Sequence, residues 1–404
     1  MERNIFELKT RQEKDIALSL QTKVEKGLKE DNTEIKCYLT YINPVKDLVE
    51  GKALVLDLGG TNFRAAVVEF KDGVAEIHPE NGLKKNLVEY MKTEGAKRET
   101  LFEKMADLIV DGLNLEGVSA IGYCFSYPAE SQTNGDAILT EWTKEVVVEG
   151  MIGELVGQPL LEYLNKKLGR NQFTSIKVIN DTVASLFAGL TNPGYDDYIG
   201  LIVGTGTNMA SFFKANKIEK LPSGYSKEGS LAVNLESGNF QPPHLTTIDE
   251  IVDASSDTKG KQRFEKAVSG MYLGKILKYT FPYDEFEDEF DAEKLTRIIN
   301  YPDIHKKRYV KVARWIYKRS AQMVAASLAG LVSTMVAQDT SIKNILLTAE
   351  GSLFWSKDNK EIDYELLVDK ELEKLLEEMN LDVKVRIKKI DNANLIGSAI
   401  AALS

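Results

Sequence analysis

Within the stretch LVLDLGGTNFRAAVVEF (54–70), an acid, Asp57, precedes the turn Gly59-Gly60-Thr61-Asn62, and a base, Arg64, follows it. Glycines let a turn take positive φ and let another group approach the backbone closely. The N–H groups of such a turn form an anion-binding concavity, to which threonine hydroxyls add donors. Phosphate oxygens suit that donor set, and a carboxylate facing them, Asp57, can hold Mg²⁺ through its water shell. The pattern is not a Walker loop, since no Gly-Lys-Ser/Thr follows, and it is not G-x-G-x-x-G. Taken alone, it reads as a plain tight hairpin.

A second stretch changes that reading. YIGLIVGTGTNMASFF (198–213) repeats the layout, with Gly204-Thr205-Gly206-Thr207-Asn208 between two apolar runs. LDLGGTNF and IVGTGTNM align without a gap and share Gly60/Gly206, Thr61/Thr207 and Asn62/Asn208. Two copies predict a duplicated domain, each presenting its turn to a cleft between the halves.

The elements needed to position these turns are legible in the apolar spacing. Val55, Leu56, Phe63, Val67 and Val68 predict a pair of buried strands around the first turn. Residues 10–30 predict a helix, with Ile16, Leu20, Val24 and Leu28 on one face, and ETLFEKMADLIVDGL predicts another. AIGYCFSYP reads as a buried strand ending at Pro128, and IKVIN as a strand that turns into the helix DTVASLFAGL. Near the end, VKVRIKKI predicts a strand and NANLIGSAIAAL a small-residue helix. The acidic stretches 283–294 and 360–379 read as solvated helical surface. AQMVAASLAGLVSTMVAQ (321–338) is interrupted by Gln322, Ser327, Ser333 and Thr334, which predicts a tightly packed core helix rather than a membrane span. Interleaved strands, helices and glycine turns argue for an α/β protein.

A chain of 404 residues is too long for one core and predicts two domains or three. No Pro- or Ser-rich linker separates them, so the chain is expected to cross between them more than once. The net charge of −10 and the lack of a Lys/Arg block argue against a nucleic-acid or anionic-membrane partner. Two cysteines, Cys37 and Cys124, fit a reducing compartment and exclude a disulfide framework or a Cys-rich zinc site. The charged opening MERNIFELKTRQEKD offers no signal peptide, and a cytoplasmic location is expected. The three histidines, His78, His244 and His305, sit apart from every motif and receive no metal or catalytic role.

From about residue 38 onward the chain resembles the hexokinase family, sugar kinases of the actin-like ATPase fold. The resemblance is carried in order by LDLGGTNFR, FSYPA (125–129), WTK (142–144), NDT (180–182), GTGTN, NLESGNF (234–240), FEKAVSGMYLG (264–274) and TAEGSLF (348–354). It implies two actin-like (ribonuclease H-like) domains around a central cleft, a small one over 49–179 plus 389–404 and a large one over 1–48 plus 180–388. It also implies ATP-dependent phosphorylation of a hexose at its 6-hydroxyl, the first step of glycolysis, with Mg²⁺ required and glucose the leading substrate. Mannose, fructose or a hexosamine are the alternatives. Asp181 matches the general base, and Lys144 the cation that neutralises the transferring phosphoryl group. Asn180, Asn208, Glu236 and Glu265 match the sugar-holding residues, joined by Ser126, Thr143 and Lys144 from the other domain. Asp57, Gly59, Gly60, Thr61, Asn62, Arg64, Gly204, Thr205, Gly206 and Thr207 fall in the two phosphate motifs, and Gly351 and Ser352 in the adenosine motif.

The chemistry suits those residue types. Asn and carboxylate side chains accept and donate in fixed directions toward hydroxyls. Phosphoryl transfer asks mainly for positioning, charge stabilisation and one carboxylate to take the alcohol proton. A non-catalytic sugar sensor on this scaffold would be expected to lose Asp181 or a phosphate turn, and neither is lost. An actin-like ATPase would have no need of Asn180, Glu236 and Glu265 together. Three positions depart from the family pattern: Ser237 stands where tryptophan is usual, Glu145 where glycine follows WTK, and Glu350 where aspartate precedes Gly-Ser. The Cys/His zinc motif of another glucokinase type is absent, so no structural zinc is expected.

Overall fold

The computed structural model describes residues 4–45, 49–60, 62–143, 145–357 and 363–404. Helix α1 (Thr10–Gly27) and the two-residue strand β1 (Tyr38–Leu39) precede the first glycine-rich hairpin, β2 (Gly51–Leu58) and β3 (Phe63–Lys71). Strand β4 (Val74–Lys85), helices α2 (Val88–Met91) and α3 (Arg98–Gly112) and strand β5 (Ala120–Phe125) follow. A ribbon of β6 (Ala129–Ser131) and β7 (Ala137–Leu139) leads to α4 (Gln158–Leu168), β8 (Ser175–Ile179) and α5 (Asp181–Gly189). The second hairpin is β9 (Asp197–Val203) and β10 (Thr207–Lys214), extended by β11 (Ser230–Asn234). Next come α6 (Thr247–Ala254), α7 (Arg263–Val268), α8 (Gly270–Thr280), α9 (Ala292–Asn300) and α10 (Lys307–Gln338). Strand β12 (Asn344–Glu350), α11 (Tyr364–Glu378), β13 (Lys384–Lys388) and α12 (Ala393–Leu403) complete the chain.

Two mixed sheets result. One runs β4-β3-β2-β5-β8 and the other β1-β11-β10-β9-β12-β13. Setting β1 aside, each sheet places its five strands in the order third, second, first, fourth, fifth, with the first three antiparallel and the last two parallel. The duplication expected from the repeated motif is therefore present in the topology. The two hairpins do not close identically, however. Leu58 pairs with Phe63, whereas Val203 pairs with Thr207. The second turn is one residue shorter because Gly204 N–H donates to the Gly206 carbonyl at 2.9 Å and closes it early.

Each sheet has its own core, and a third cluster joins them. That third cluster contains Ala53, Val55, Ala66 and Val68 of the first sheet, Ala210, Phe212 and Ala232 of the second, and the inner faces of α5 and α12. Glycine sets every spacing through this stack. A Cβ on Gly122 of β5 would lie 2.0 Å from Ser398 O of α12. One on Gly397 of α12 would lie 1.8 Å from Ala184 O of α5, and one on Gly200 of β9 would lie 2.4 Å from Thr182 O of α5. Backbone thus rests on backbone from one sheet to the other.

Helix α10 is long and apolar enough to cross a membrane, yet most of that stretch is buried inside the protein. Its Gly330 lies against the backbone of Ala17 in α1, as a packed core helix requires. The acidic stretch 364–378 is helical, but 283–291 is not, and α9 starts only at Ala292. There, Phe286 and Phe290 turn inward against each other at 5.1 Å, and Asp284 pairs with Arg308. Asp291 caps α9 by accepting from Lys294 N–H. Aromatic anchoring and a cap at Asp291 override the helical reading of this acidic stretch.

Candidate active site

Asp57 and Arg64 face each other across the first hairpin, the register pairing them directly. The Arg64 guanidinium donates to Asp57 Oδ2 through Nε at 3.0 Å and Nη2 at 2.5 Å, and reaches Asn392 Oδ1 at 3.3 Å. The acid before the turn and the base after it therefore hold one another and tie the turn to the start of α12. Gly59, Gly60 and Asn62 form the turn, with Gly59 N–H donating to Asn62 O at 3.3 Å. Thr61 lies outside the described residues.

The sheet then carries the next residues to the same edge. Cys124 of β5 pairs with Asp57 on one side and Ile179 of β8 on the other, and Asn180-Asp181 follow at once. The Cys124 thiol is pushed far up by burial, to which the carboxylates of Asp57 and Asp181 add. Asn180 is the N-cap of α5: its Oδ1 accepts from Thr182 N–H at 2.9 Å, while Asp181 Oδ1 accepts from the same N–H at 2.8 Å. Capping and site placement coexist here, since a cap fixes where the first helical residue points.

On the other sheet, Asn208 is the second residue of β10 and Asn234 ends β11. Asn208 Nδ2 donates to Asn234 Oδ1 at 2.7 Å and to Glu236 Oε1 at 3.4 Å, and Asn234 Nδ2 donates to Glu236 Oε1 at 2.7 Å. Glu236 sits in the left-handed region at φ 54°. Its carboxyl is raised above the usual range by burial and by the carboxylates of Asp181 and Glu265, while the Asn234 and Asn208 amides oppose the shift. Glu265, on α7, accepts from Thr207 N–H through Oε2 at 3.0 Å. Asp181, Glu236 and Glu265 thus converge from α5, the turn after β11, and α7. Asn234 belongs to this group and was not anticipated. It is the first residue of NLESGNF, which gave it no role, and its bonds to Asn208 and Glu236 now supply one.

Around the second turn, α8 directs its first N–H groups into the turn carbonyls: Gly270 N–H to Gly204 O at 2.7 Å and Met271 N–H to Thr205 O at 3.2 Å. Thr207 is buried, and its hydroxyl donates to Ile202 O at 2.9 Å, so its side chain braces the turn from inside. The N–H groups of Thr205 and Gly206 have no protein acceptor among the described residues. Gly351 packs on the same turn at φ 110°, where a Cβ would meet Val203 O at 2.2 Å, and Ser352 follows it. This donor set fits the phosphates of a nucleotide. Glu350, just before Gly351, is pushed up to about 7 by burial and by Asp181 and Asp391, against the pull of Lys389 and Arg64.

From the first lobe, Ser126 follows β5 and donates its N–H to Leu58 O at 3.1 Å. Thr143 lies on a loop anchored by Trp142, which packs on Tyr127 at 4.9 Å and donates Nε1–H to Val148 O at 2.9 Å. Thr143 O accepts from Val146 N–H at 3.3 Å. Lys144 lies outside the described residues. Glu145 adopts φ 63°, a left-handed conformation that accounts for the glycine usual at this position, and it pairs with Lys92 at 2.8 Å. Ser237 is fully buried, with its N–H donating to Asn208 Oδ1 at 3.1 Å, so its side chain is shut away from solvent. Elsewhere, Glu69, Glu76 and His78 bring ligand atoms within 4.8 Å of one another, but Glu69 is already paired with Lys52 and Lys71.

The fold and site thus define a two-lobed α/β protein with paired glycine-rich turns and a cluster of carboxylates and amides. Profiles described as hexokinase match residues 2–190, 198–283 and 284–404. The match reaches back well before residue 38 and takes in α1, which carries no motif. Hexokinase HKDC1 of Homo sapiens is 33% identical over 290 residues, covering 68% of this chain and 30% of that protein. Hexokinase-3 of Rattus norvegicus is 31% identical over 287 residues, covering 68% and 30%. Hexokinase-2 of Oryza sativa subsp. japonica is 29% identical over 360 residues, covering 83% and 69%. The matched region therefore spans less than a third of the human and rat relatives. A hexokinase from Schistosoma mansoni, solved in complex with glucose, superposes with a TM-score of 0.77 at 23% identity, covering 99% of this chain and 96% of that one. The chain belongs to the hexokinase family.

Proposed function

We propose that this protein is an ATP-dependent hexokinase that phosphorylates glucose, and other hexoses to a lesser degree, at the 6-hydroxyl. The observation that carries the reading is the convergence of Asp181, Glu236 and Glu265 from three separate elements, beside a turn whose Thr205 and Gly206 N–H groups have no acceptor among the described residues. A filament or chaperone ATPase needs the turn but not the carboxylate–amide cluster. Under this reading, the lobes are actin-like domains, with 49–179 plus 389–404 forming the small one and 1–48 plus 180–388 the large one. The protein acts in the cytoplasm on two small molecules.

Asn180, Asn208, Glu236 and Glu265 would hold the sugar hydroxyls from the large lobe, and Ser126, Thr143 and Lys144 from the small one. Asp181 takes the proton of the attacking 6-hydroxyl. The N–H groups of Gly60, Thr205 and Gly206 would hold phosphates, Gly351 and Ser352 the nucleoside, and Asp57 a magnesium ion through water. ATP bound with Mg²⁺ supplies the phosphoryl group to be transferred. Lys144 then neutralises charge on that group in a site from which water is excluded.

The test is ADP release measured with and without glucose, then across mannose, fructose and glucosamine. Release that requires a hexose and falls about 10²–10⁴-fold in Asp181→Ala supports the assignment. Sugar-independent release, or near wild-type kcat in a variant that still binds glucose, refutes it.

A further inference from the structure

We propose that Asn234 is a positioning residue that holds one oxygen of Glu236, so that the other, Oε2, is the acceptor presented to a sugar hydroxyl. The proposal rests on the hexokinase reading above. Its basis is a chain of hydrogen bonds whose polarity is fixed from the backbone. Met209 N–H and Ser237 N–H lie 2.8 and 3.1 Å from the Asn208 side chain. Both can only donate, so the atom facing them is the carbonyl oxygen. Asn208 Nδ2 therefore faces Asn234, which must answer with its own oxygen, at 2.7 Å. That leaves Asn234 Nδ2 directed at Glu236 Oε1, also at 2.7 Å. Neither amide can invert without setting oxygen against oxygen.

The consequence falls on Glu236. Oε1 receives N–H groups from Asn234 and Asn208, whereas Oε2 makes no hydrogen bond among the described residues. Asn234 Oδ1 also takes the Glu236 N–H at 3.4 Å, bracing the left-handed backbone that turns the side chain inward. The groups facing this carboxylate are Asp181 from α5, Glu265 from α7 and the Tyr38 hydroxyl from β1. Two of the three are acidic, so without the Asn234 donor the carboxylate would be turned or protonated, and a protonated carboxyl is a poorer acceptor. Asn234 is itself buried and donates to Glu236, so its effect on substrate passes through that residue.

Asn234→Asp keeps the shape but replaces the donor with an oxygen. At pH 8 two carboxylates then face each other, and loss of a hydrogen bond to a charged group should raise the sugar KM about 10- to 100-fold. The KM for ATP should stay within about twofold. Near pH 6 a proton shared between the introduced carboxyl and Glu236 restores an O–H···O bond, and the sugar KM should return toward the wild-type value. Asn234→Ala, which cannot share a proton, should show the raised sugar KM at both pH values. Circular dichroism and Tm verify folding. If Asn234→Asp does not fold, the Ala variant decides by its sugar and ATP KM values. An unchanged sugar KM, an equal rise in the ATP KM, or a rise in the Asp variant that ignores pH overturns the role of Asn234. A wild type that releases no ADP with any hexose overturns the kinase reading itself, and this role with it.

Discussion

Gly397→Ala adds a single methyl group far from any substrate, yet it should reduce both stability and turnover. The new Cβ would sit 1.8 Å from Ala184 O, against about 3.4 Å for an ordinary contact, so α5 and α12 must separate by about 1.6 Å or distort. Helix α5 cannot retreat, because its Thr182 O and Leu186 N already rest on the bare backbone of Gly200. Helix α12 is held from behind by Gly122 against Ser398 O. Overpacking of this kind costs about 1–3 kcal/mol. Exchanging glycine for alanine in an unconstrained helix interior would instead gain about 1 kcal/mol, so the sign of the change in Tm decides between the two effects. Ala184 lies one turn from Asp181 on the same helix, so part of any displacement reaches the proposed base. A misplacement of about 1 Å can lower rate about 10²-fold. Thermal unfolding followed by circular dichroism and a coupled ADP assay give the two readouts. A Tm equal to or above wild type, with kcat/KM within about twofold, would refute the reasoning.

Three further outcomes are expected. Glu145→Gly should raise Tm, because glycine accepts φ 63° without strain and the exposed pair with Lys92 contributes little; an unchanged or lower Tm would show that the pair outweighs the backbone term. Glu13 is fully buried against Gln322 and Lys374, and burial, aided by Glu371, pushes its carboxyl from 4.5 to about 7. Its folded form holds a proton that the unfolded form has released, so stability should fall as pH rises from about 4.5 to 7. Glu13→Gln should flatten that fall in Tm, and an unaltered pH profile would remove Glu13 as its source. Saturating glucose without nucleotide should reduce the radius of gyration in small-angle scattering, because a sugar held from both lobes, as proposed above, would favour the closed form. Tight glucose binding with an unchanged scattering curve would exclude that gating.

Much of this arrangement could be read from residue types because it is local. The hairpins at 54–70 and 198–213 follow from alternating apolar residues around glycine, and Asn180 caps α5 as a residue before a helical run should. What escaped was set by contacts distant in sequence. Asn234 gains meaning only from Asn208 across a strand pair. The early closure of the second turn comes from a backbone bond that a gapless alignment cannot register. The stretch 283–291 follows its aromatic anchors rather than its charges. The stack of Gly122, Gly397 and Gly200 left no trace because a glycine, in a strand or a helix, has no side chain to mark which face is buried.

The dependence of the first sheet on α12 has a consequence for the birth of the chain. One face of β2 and β3, with Ala53, Val55, Ala66 and Val68, is covered by a helix from the last eleven positions before Ser404. During synthesis at about 5–20 residues per second, more than 200 residues must be added after β8 before that cover exists, an interval of about 10–40 s. For that time the sheet carries an open apolar face. Chains stalled before residue 393 should therefore remain protease-sensitive within 51–179, whereas chains that include α12 should not. The burden of guarding the nascent protein from self-association falls on that interval and on whatever occupies the face meanwhile.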